Sequence, residues 1–371
     1  MTFIEAVRLI ASRAGQELDQ TTQNSQTVET LLKVMLNLRL QDFMTRRRWF
    51  WNEKTTTFQT IPNYITGTMT VTNGSRTVTS SGGTFTSAMI GRFFKLDREE
   101  EIYEILDVPT STSLTLKETY IGDTGSGLSY LIWKRYYDLP PDVHYNSGIE
   151  LWKFPYRSQP IPKLEMNSIF KQSHLRGYPA AWAFSKFNRA VSTYNTGTVS
   201  IPKDSNTLTG SGTSWIGNVF EGTKITIGSN SYNVETVDKD TQITLVQKSK
   251  DAVQANTKYS AETKNRTQIM FSTVPDPVVN MNVTYYKKPY PLVNDNDELN
   301  IWEGYEHIVI NAVLGELLAK TNEEGEGFAW LTTYESQIQE AYKTILANDP
   351  IDTAVVDRPI YPQGYRPSLY G

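Results

Sequence analysis

The sequence predicts an α+β protein in which helices at the two chain ends form a bundle with a small antiparallel β core. Two all-β domains of barrel or sandwich type are predicted as insertions into that core. Three observations support this fold class: helical periodicity at both chain ends, β-branched and aromatic alternation between them, and a long internal repeat. The 371-residue length allows about two to four domains.

The N-terminal helices are predicted from capping signals and apolar spacing. Thr2 and Glu5 have the spacing of a capping box, and Gly15 can end the first helix. The second helix is predicted from about residue 27 to about residue 47. Its predicted inward face consists of Val28, Leu31, Leu32, Met35, Leu38 and Phe43.

The C-terminal helices are predicted in the same way. Asn300 and Glu303 repeat the capping-box spacing, so a helix is expected to begin there. Gly325 and Gly327 predict a break before a last helix, which must end before Pro350. Because all four helices have an apolar stripe, we expect them to pack on one another and to bring the chain ends together.

The internal repeat predicts two copies of one small β module. The matched segments are 67–71 with 197–201, 103–105 with 232–234, 114–116 with 243–245, and Tyr130 with Tyr259. Both copies interrupt strand-like sequence, as insertions at loop tips do. The predicted domains are a discontinuous core of 1–65, 134–196 and 265–349, inserted β domains at 66–133 and 197–264, and an extended docking arm at 350–371.

The arm at 350–371 is predicted from composition. It has several prolines and few aliphatic residues, so neither a helix nor a core is expected. Tyrosine and arginine are common interface anchors, and these side chains are the predicted docking residues. They are Arg358, Tyr361, Tyr365, Arg366 and Tyr370. The alternative is a frayed end without a partner.

A second candidate interface lies at the end of the second helix, where Arg46, Arg47 and Arg48 precede Trp49. The arginines complement the helix dipole, and together with Trp49 they are predicted to contact a partner or neighbouring subunit. A nucleic-acid patch is an alternative. A further one is a helix end that rests on an aromatic floor formed by Trp49 and Trp51.

The sequence has no recognisable catalytic, cofactor or metal site, and we predict that the protein is not an enzyme. It has no cysteine, and His144, His174 and His307 have no ligands at metal-binding spacing. The acidic run 99–101 is typical of a solvated loop. The acidic residues at 295, 297 and 298 lack the spacing of a calcium loop and are expected to precede a helix N-terminus.

Four segments in order, with the helix that follows them, resemble bacteriophage head-to-tail adaptor (connector) proteins. They are Arg-Trp-Phe-Trp at 48–51, Tyr-Asp-Leu-Pro-Pro-Asp-Val at 137–143, Ile-Met-Phe at 269–271 with Pro-Asp-Pro at 275–277, and Tyr-Tyr-Lys-Lys-Pro-Tyr-Pro-Leu at 285–292, followed by Leu-Gly-Glu-Leu at 314–317. The two repeats are similar to small β domains of tail and baseplate proteins.

The resemblance implies a structural virion protein at the head–tail neck, made in the host bacterial cytoplasm. Such proteins form a homo-oligomeric ring of about twelve copies beneath the portal protein, and their C-terminal arm reaches into the portal. Tail nozzle, tube or fibre proteins are the implied partners on the other side. Genomic DNA passes through the ring without sequence-specific binding, and no membrane is involved.

The composition is compatible with this role and leaves two alternatives. A net charge of -4 argues against broad nucleic-acid binding, which needs a dense basic face. The first alternative is a tail-tube or baseplate component. The second is a glycan-binding virion protein that uses Phe85, Trp215 or Tyr232 of the repeats as sugar platforms.

Overall fold

The computed structural model shows a mostly β protein. It describes residues 1–15, 23–97, 99–144, 148–153, 156–165, 176–188, 191–264, 266–320 and 324–348. These ranges contain 24 strands in four sheets, whereas only 24% of the residues are helical. The predicted α+β class, a helical bundle with a small β core, is therefore wrong. The central sheet alone has seven strands, and each repeat adds a sheet of similar size, so sheets outweigh the bundle.

The elements are numbered in chain order. The helices are α1 (Phe3–Arg13), α2 (Gln23–Arg46), α3 (Glu306–Lys320) and α4 (Glu324–Asn348). The first strands are β1 (Glu53–Gln59), β2 (Thr68–Val71), β3 (Thr77–Ser81), β4 (Phe93–Leu96), β5 (Tyr103–Thr110), β6 (Ser113–Leu116), β7 (Gly125–Leu128), β8 (Tyr130–Trp133), β9 (Tyr136–Asp138), β10 (Glu150–Lys153), β11 (Tyr156–Pro160), β12 (Arg176–Gly177) and β13 (Ala181–Asn188). The later strands are β14 (Ser192–Tyr194), β15 (Thr198–Ile201), β16 (Thr207–Ser211), β17 (Lys224–Ile227), β18 (Asn230–Lys239), β19 (Gln242–Leu245), β20 (Val253–Thr257), β21 (Tyr259–Thr263), β22 (Arg266–Phe271), β23 (Val274–Pro275) and β24 (Asn280–Tyr286).

The helices of the two chain ends pack into one apolar core, which confirms the predicted packing. The capping box of α1 is present, because Thr2 N donates to Glu5 Oε2 at 2.8 Å and Glu5 N donates to Thr2 Oγ1 at 3.4 Å. Every helix contributes buried side chains to this core. They include Phe3, Val7, Ile10, Leu36, Phe43, Val309, Val313, Tyr334 and Ile338.

Two predicted helix boundaries are wrong. α3 begins at Glu306 rather than at Asn300, and α4 begins at Glu324 and continues through Gly325 and Gly327. Each glycine costs about 1 kcal/mol in a helix relative to alanine. The burial of apolar side chains farther along α4, such as Tyr334, outweighs that cost.

The central sheet has the order β1-β24-β10-β11-β13-β22-β9, in which only β11 and β13 pair in parallel. Its two edge strands, β1 and β9, approach each other. The rings of Phe58 on β1 and Tyr137 on β9 lie 5.7 Å apart, and Ile61 N donates to Tyr137 Oη at 3.3 Å. The sheet is therefore curled into an open barrel with a gap between its edges.

The two repeats have the same strand order. The first sheet runs β7-β2-β3-β6-β5-β4-β8, and the second runs β20-β15-β16-β19-β18-β17-β21 with β14 added beyond β21. β14 lies before residue 197, so the second sheet extends past the predicted boundary. The predicted domain boundaries stay a prediction, and the arm at 350–371 lies outside the described residues.

A shared glycine explains why the repeat is visible in the sequence. Gly67 and Gly197 have φ values of 83° and 86°, and a Cβ on either would lie 2.4 or 2.6 Å from a backbone carbonyl oxygen. Tyr130 and Tyr259 donate to the carbonyl of the residue before each glycine at 2.6 and 2.8 Å. The same turn is therefore held by the same partner in both copies.

Candidate functional site

α2 has apolar side chains on two opposite faces. One face lies in the bundle core, while on the other Leu31, Val34 and Leu38 are 46%, 52% and 59% exposed. Their spacing of three and four residues places them in one stripe along the helix. The prediction that Leu31 and Leu38 face inward is wrong, whereas the other predicted members are buried or partly buried. We call Leu31, Val34 and Leu38 the outer stripe.

Trp49 lies beneath the end of α2 and is fully buried. Its Nε1 donates to the carbonyl oxygen of Phe43 at 2.8 Å, and its ring stacks on Phe43 at 4.6 Å and on Trp51 at 4.9 Å. The aromatic floor considered from the sequence is present. Trp49 is not a surface side chain of this chain, so its predicted contact with a partner has no support in the structure.

The three arginines before Trp49 contact their own chain. Arg46 pairs with Asp42 at 2.9 Å and also with Glu335 of α4. The guanidinium of Arg47 lies over the ring of Tyr342 at 5.4 Å. Arg48 lies against Gly148, where an added Cβ would be 2.9 Å from its Nη1. Their role toward a partner stays a prediction, as does that of the five arm residues, which lie outside the described ranges.

An exposed aromatic pair, which no local pattern in the sequence predicts, lies next to this region. The rings of Phe50 and Trp302 meet edge-on at 5.0 Å, and both side chains are about half exposed. A cavity of about 300 Å³ beside them is lined by Trp51, Glu298 and Glu303 among others. The pair becomes visible only when residues 50 and 302 are brought together by the fold.

A buried carboxylate and three partly buried charged side chains join the second repeat to the central sheet. Asp142 is 2% exposed, its Oδ1 accepts a hydrogen bond from Tyr285 Oη at 2.9 Å, and its Oδ2 lies 3.9 Å from Lys54 Nζ. Glu235 Oε1 of the second repeat lies 3.9 Å from Lys54 Nζ and 2.8 Å from Lys287 Nζ. We call this group of five residues the junction cluster.

Burial dominates the electrostatics of the junction cluster. It raises the pKa of Asp142 to about 6, and Lys54 and Tyr285 oppose the shift while Glu221 and Glu235 add to it. Burial and the neighbouring Asp142 carboxylate raise the pKa of Tyr285 far above its ordinary value, so this phenol stays a hydrogen-bond donor. The junction therefore contains a carboxyl group that titrates closer to neutrality than an exposed one.

The acidic residues near 297 form a turn rather than a cation site. Asp297 Oδ2 accepts hydrogen bonds from the backbone N–H groups of Val293 and Asn294, both at 2.8 Å, and Glu298 pairs with Lys248 of the second repeat at 3.2 Å. The expectation that they lie at a helix N-terminus is wrong, because α3 begins only at Glu306.

The two histidines in the described ranges contact or face groups of their own chain. His307 Nδ1 lies 2.6 Å from the carbonyl oxygen of Gly304, and burial together with Lys288 lowers the pKa of His144. His174 lies outside the described residues. The described ranges contain no group of three His, Asp or Glu side chains that could hold a metal ion. None of their helices is long and apolar enough to cross a membrane.

The three aromatic residues considered as sugar platforms are buried inside the repeats. Phe85, Trp215 and Tyr232 are each at most 3% exposed, and Trp215 Nε1 donates to Tyr259 Oη at 2.8 Å. Each belongs to the apolar core of its module. A sugar cannot stack on these buried rings, so the glycan-binding hypothesis loses the side chains on which it was based.

Comparison with known proteins does not assign the chain to a family. No protein-family model matches the sequence, and no curated protein matches it.

Proposed function

We propose that this protein is a non-enzymatic structural component of a bacteriophage virion, which forms a ring between the portal and the tail. The observation that supports it most is the outer stripe of α2, because apolar side chains at helical spacing on a surface indicate a contact with another protein. The order of the segments that resemble head-to-tail adaptor proteins is the reason for proposing a virion protein. The fold is mostly β, so the proposal does not depend on the small-core architecture first predicted.

The proposed partner of the outer stripe is a neighbouring copy of the chain. Most oligomers of soluble proteins are homo-oligomers with closed symmetry, and a head-to-tail contact that closes gives a ring. Leu31, Val34 and Leu38 are exposed in the single chain, so a neighbour that covers them gains hydrophobic free energy. About twelve copies are proposed, as the resemblance implies.

The remaining surfaces are proposed to serve the two neighbours of the ring. Arg358, Tyr361, Tyr365, Arg366 and Tyr370 of the arm are proposed to anchor it on the portal protein. Tail nozzle, tube or fibre proteins are proposed to bind on the other side. The net charge of -4 suits a ring that passes DNA without retaining it.

A pair of leucine variants tests the role of the stripe. Leu38→Glu puts a charge in the centre of the proposed contact, and Leu106→Glu is the matched control, because Leu106 of β5 is also about half exposed but lies in the first repeat. Electron microscopy of the purified proteins, alone and mixed with portal, is expected to show rings for the parent and the control. Leu38→Glu is expected to stay monomeric with an unchanged circular dichroism spectrum.

Two results would overturn the proposal. Rings of undiminished yield from Leu38→Glu would remove the outer stripe from the contact. A protein that never associates with portal, and instead polymerises into open tubes, would favour the tail-tube or baseplate alternative. Copy number per particle distinguishes these two virion roles.

A further inference from the structure

A cavity of about 680 Å³ lies between the central sheet and the second repeat. β1 and β9, the two edge strands of the sheet, both line it, and residues 216–221 of the second repeat cover it. Cavities of this size between parts of a protein are common binding sites. Here the cavity is the gap in the open barrel, and we call it the seam.

Within the described ranges, the edge of β1 at the seam has backbone groups without a hydrogen-bond partner. Thr60 N donates to Val279 O at 2.9 Å, in register with the β1–β24 ladder. Alternate residues of an antiparallel strand bond to the same neighbour, so Thr55, Thr57 and Gln59 direct their N–H and C=O groups away from β24. Among the described residues these three N–H groups have no acceptor. Such an edge is a template for an added strand.

The lining of the seam favours an occupant with apolar and acidic side chains. Phe58, which is partly buried, supplies aromatic surface, whereas Tyr137 is almost fully buried behind it. The cavity is lined by two acidic and two basic side chains, Asp138, Glu221, Lys134 and Arg266. Arg266 pairs with Asp138 at 3.1 Å, and Lys134 Nζ lies 5.3 Å from the Tyr137 ring centre. Burial lowers the pKa of Lys134, Asp138 opposes this shift, and Arg92 and Arg266 add to it, so a further carboxylate here would stabilise its charge.

One segment of the chain outside the described ranges has matching chemistry. Residues 351–357 lie between Pro350 and Pro359 and consist of Ile351, Asp352, Thr353, Ala354, Val355, Val356 and Asp357. Four of these seven residues are β-branched, and two are acidic. In an extended strand Ile351, Thr353 and Val355 would share one face. The segment is as long as β1, which has 7 residues.

We propose that residues 351–357 of this chain bind in the seam as an added strand along the edge of β1. The backbone groups of Thr55, Thr57 and Gln59 pair with the segment, its β-branched face covers Phe58, and one of its two aspartates pairs with Lys134. The inference goes beyond the proposed function, since it holds for any role of the protein. It leaves the proposed portal anchors, which all follow Asp357, available for another partner.

Disulfide trapping in the full-length chain tests the proposal, and the absence of native cysteine removes any background. Cysteine is introduced at Thr55, Thr57 or Gln59 in combination with Ala354→Cys or Val356→Cys, which lie on the same face of the added strand and give alternative registers. The control pair is Thr110→Cys with Ala354→Cys, because Thr110 is exposed on the first repeat. At least one seam pair is expected to form its disulfide roughly tenfold faster than the control or more, because binding raises the effective concentration.

Amide hydrogen exchange gives a second, independent readout. Ala354→Pro/Val355→Pro removes an N–H group from each edge of the segment, and Ser368→Pro is the control outside it. Exchange at Thr55, Thr57 and Gln59 is expected to accelerate roughly tenfold or more in the double variant only. A monomeric disulfide product assigns the segment to its own chain and a dimeric one to a neighbour, and both agree with the proposal. Trapping at the control rate in every pair, or unchanged exchange in the double variant, overturns it.

Discussion

Replacing Asp142 with asparagine is expected to change how the stability of the protein depends on pH. The carboxyl group is buried at the junction between the second repeat and the central sheet, with Tyr285 Oη at 2.9 Å and Lys54 Nζ at 3.9 Å. Lys287, Lys288, Glu221, Glu235, Tyr290 and His144 are the other titratable groups around it. Asparagine keeps the acceptor for Tyr285 but has no charge.

The expected magnitude follows from the pKa of the folded state. A rise from 3.8 to about 6 means that the folded protein binds this proton more tightly than the unfolded chain does. The resulting stabilisation is complete below pH 3.8 and is lost as the pH rises through about 6. The total is about 3 kcal/mol at 25 °C, of which about 2 kcal/mol is lost between about pH 4.5 and 7.5.

Urea unfolding of the parent and of Asp142→Asn across this pH range measures the effect. The variant is expected to gain about 2 kcal/mol relative to the parent between the two ends of the range. Asp107→Asn is the matched control, because that aspartate is exposed on β5 and lies far from the junction in sequence. A parent–variant difference that is the same at every pH would refute the assignment of a buried, proton-binding carboxyl group.

Two other predictions concern the junction backbone and the arm. Gly222→Ala is expected to destabilise the protein by about 1–3 kcal/mol more than Gly217→Ala in urea unfolding. Both glycines have positive φ, but a Cβ on Gly222 would lie 2.6 Å from Asp142 N, whereas a Cβ on Gly217 would meet open space. Equal losses of unfolding free energy in the two variants would contradict this close approach. Removing all residues after Asp357 is expected to leave the melting temperature almost unchanged and to weaken portal binding by about 2–4 kcal/mol. This truncation should also leave disulfide trapping in the seam unchanged. Portal binding as tight as that of the full chain would therefore refute the proposed portal anchors but not the strand in the seam.

The location of the helices could be predicted from the sequence, but the balance between helix and sheet could not. The capping box at Thr2 is a contact between residues three apart, so the sequence alone reveals it. α2 was predicted with one inward face that included Leu31 and Leu38, although it has apolar residues on two faces. Periodicity cannot decide which face the bundle covers, because that depends on where the other helices lie.

The candidate site shows the same limit. The composition around Arg46, Arg47 and Trp49 predicts an interface, but it does not reveal that Trp49 is a buried floor or that the two arginines contact α4. Asp142 was not identified at all, since nothing near it in the sequence shows that Tyr285 and Lys54 will surround it. A buried charge can be recognised only when its distant partners are known.

The sequence by itself determined the helical chain ends and the existence of two copies of one β module. Both follow from short-range signals: apolar periodicity within a helix, and a turn glycine repeated at Gly67 and Gly197. Only the tertiary structure decided the fold class, the outer stripe, the junction cluster and the seam. Each of these depends on strands or helices far apart in the chain coming together, as when β1 pairs with β24 and becomes an edge strand of the central sheet. Such pairing is selected by the burial of the whole core, which no local segment contains.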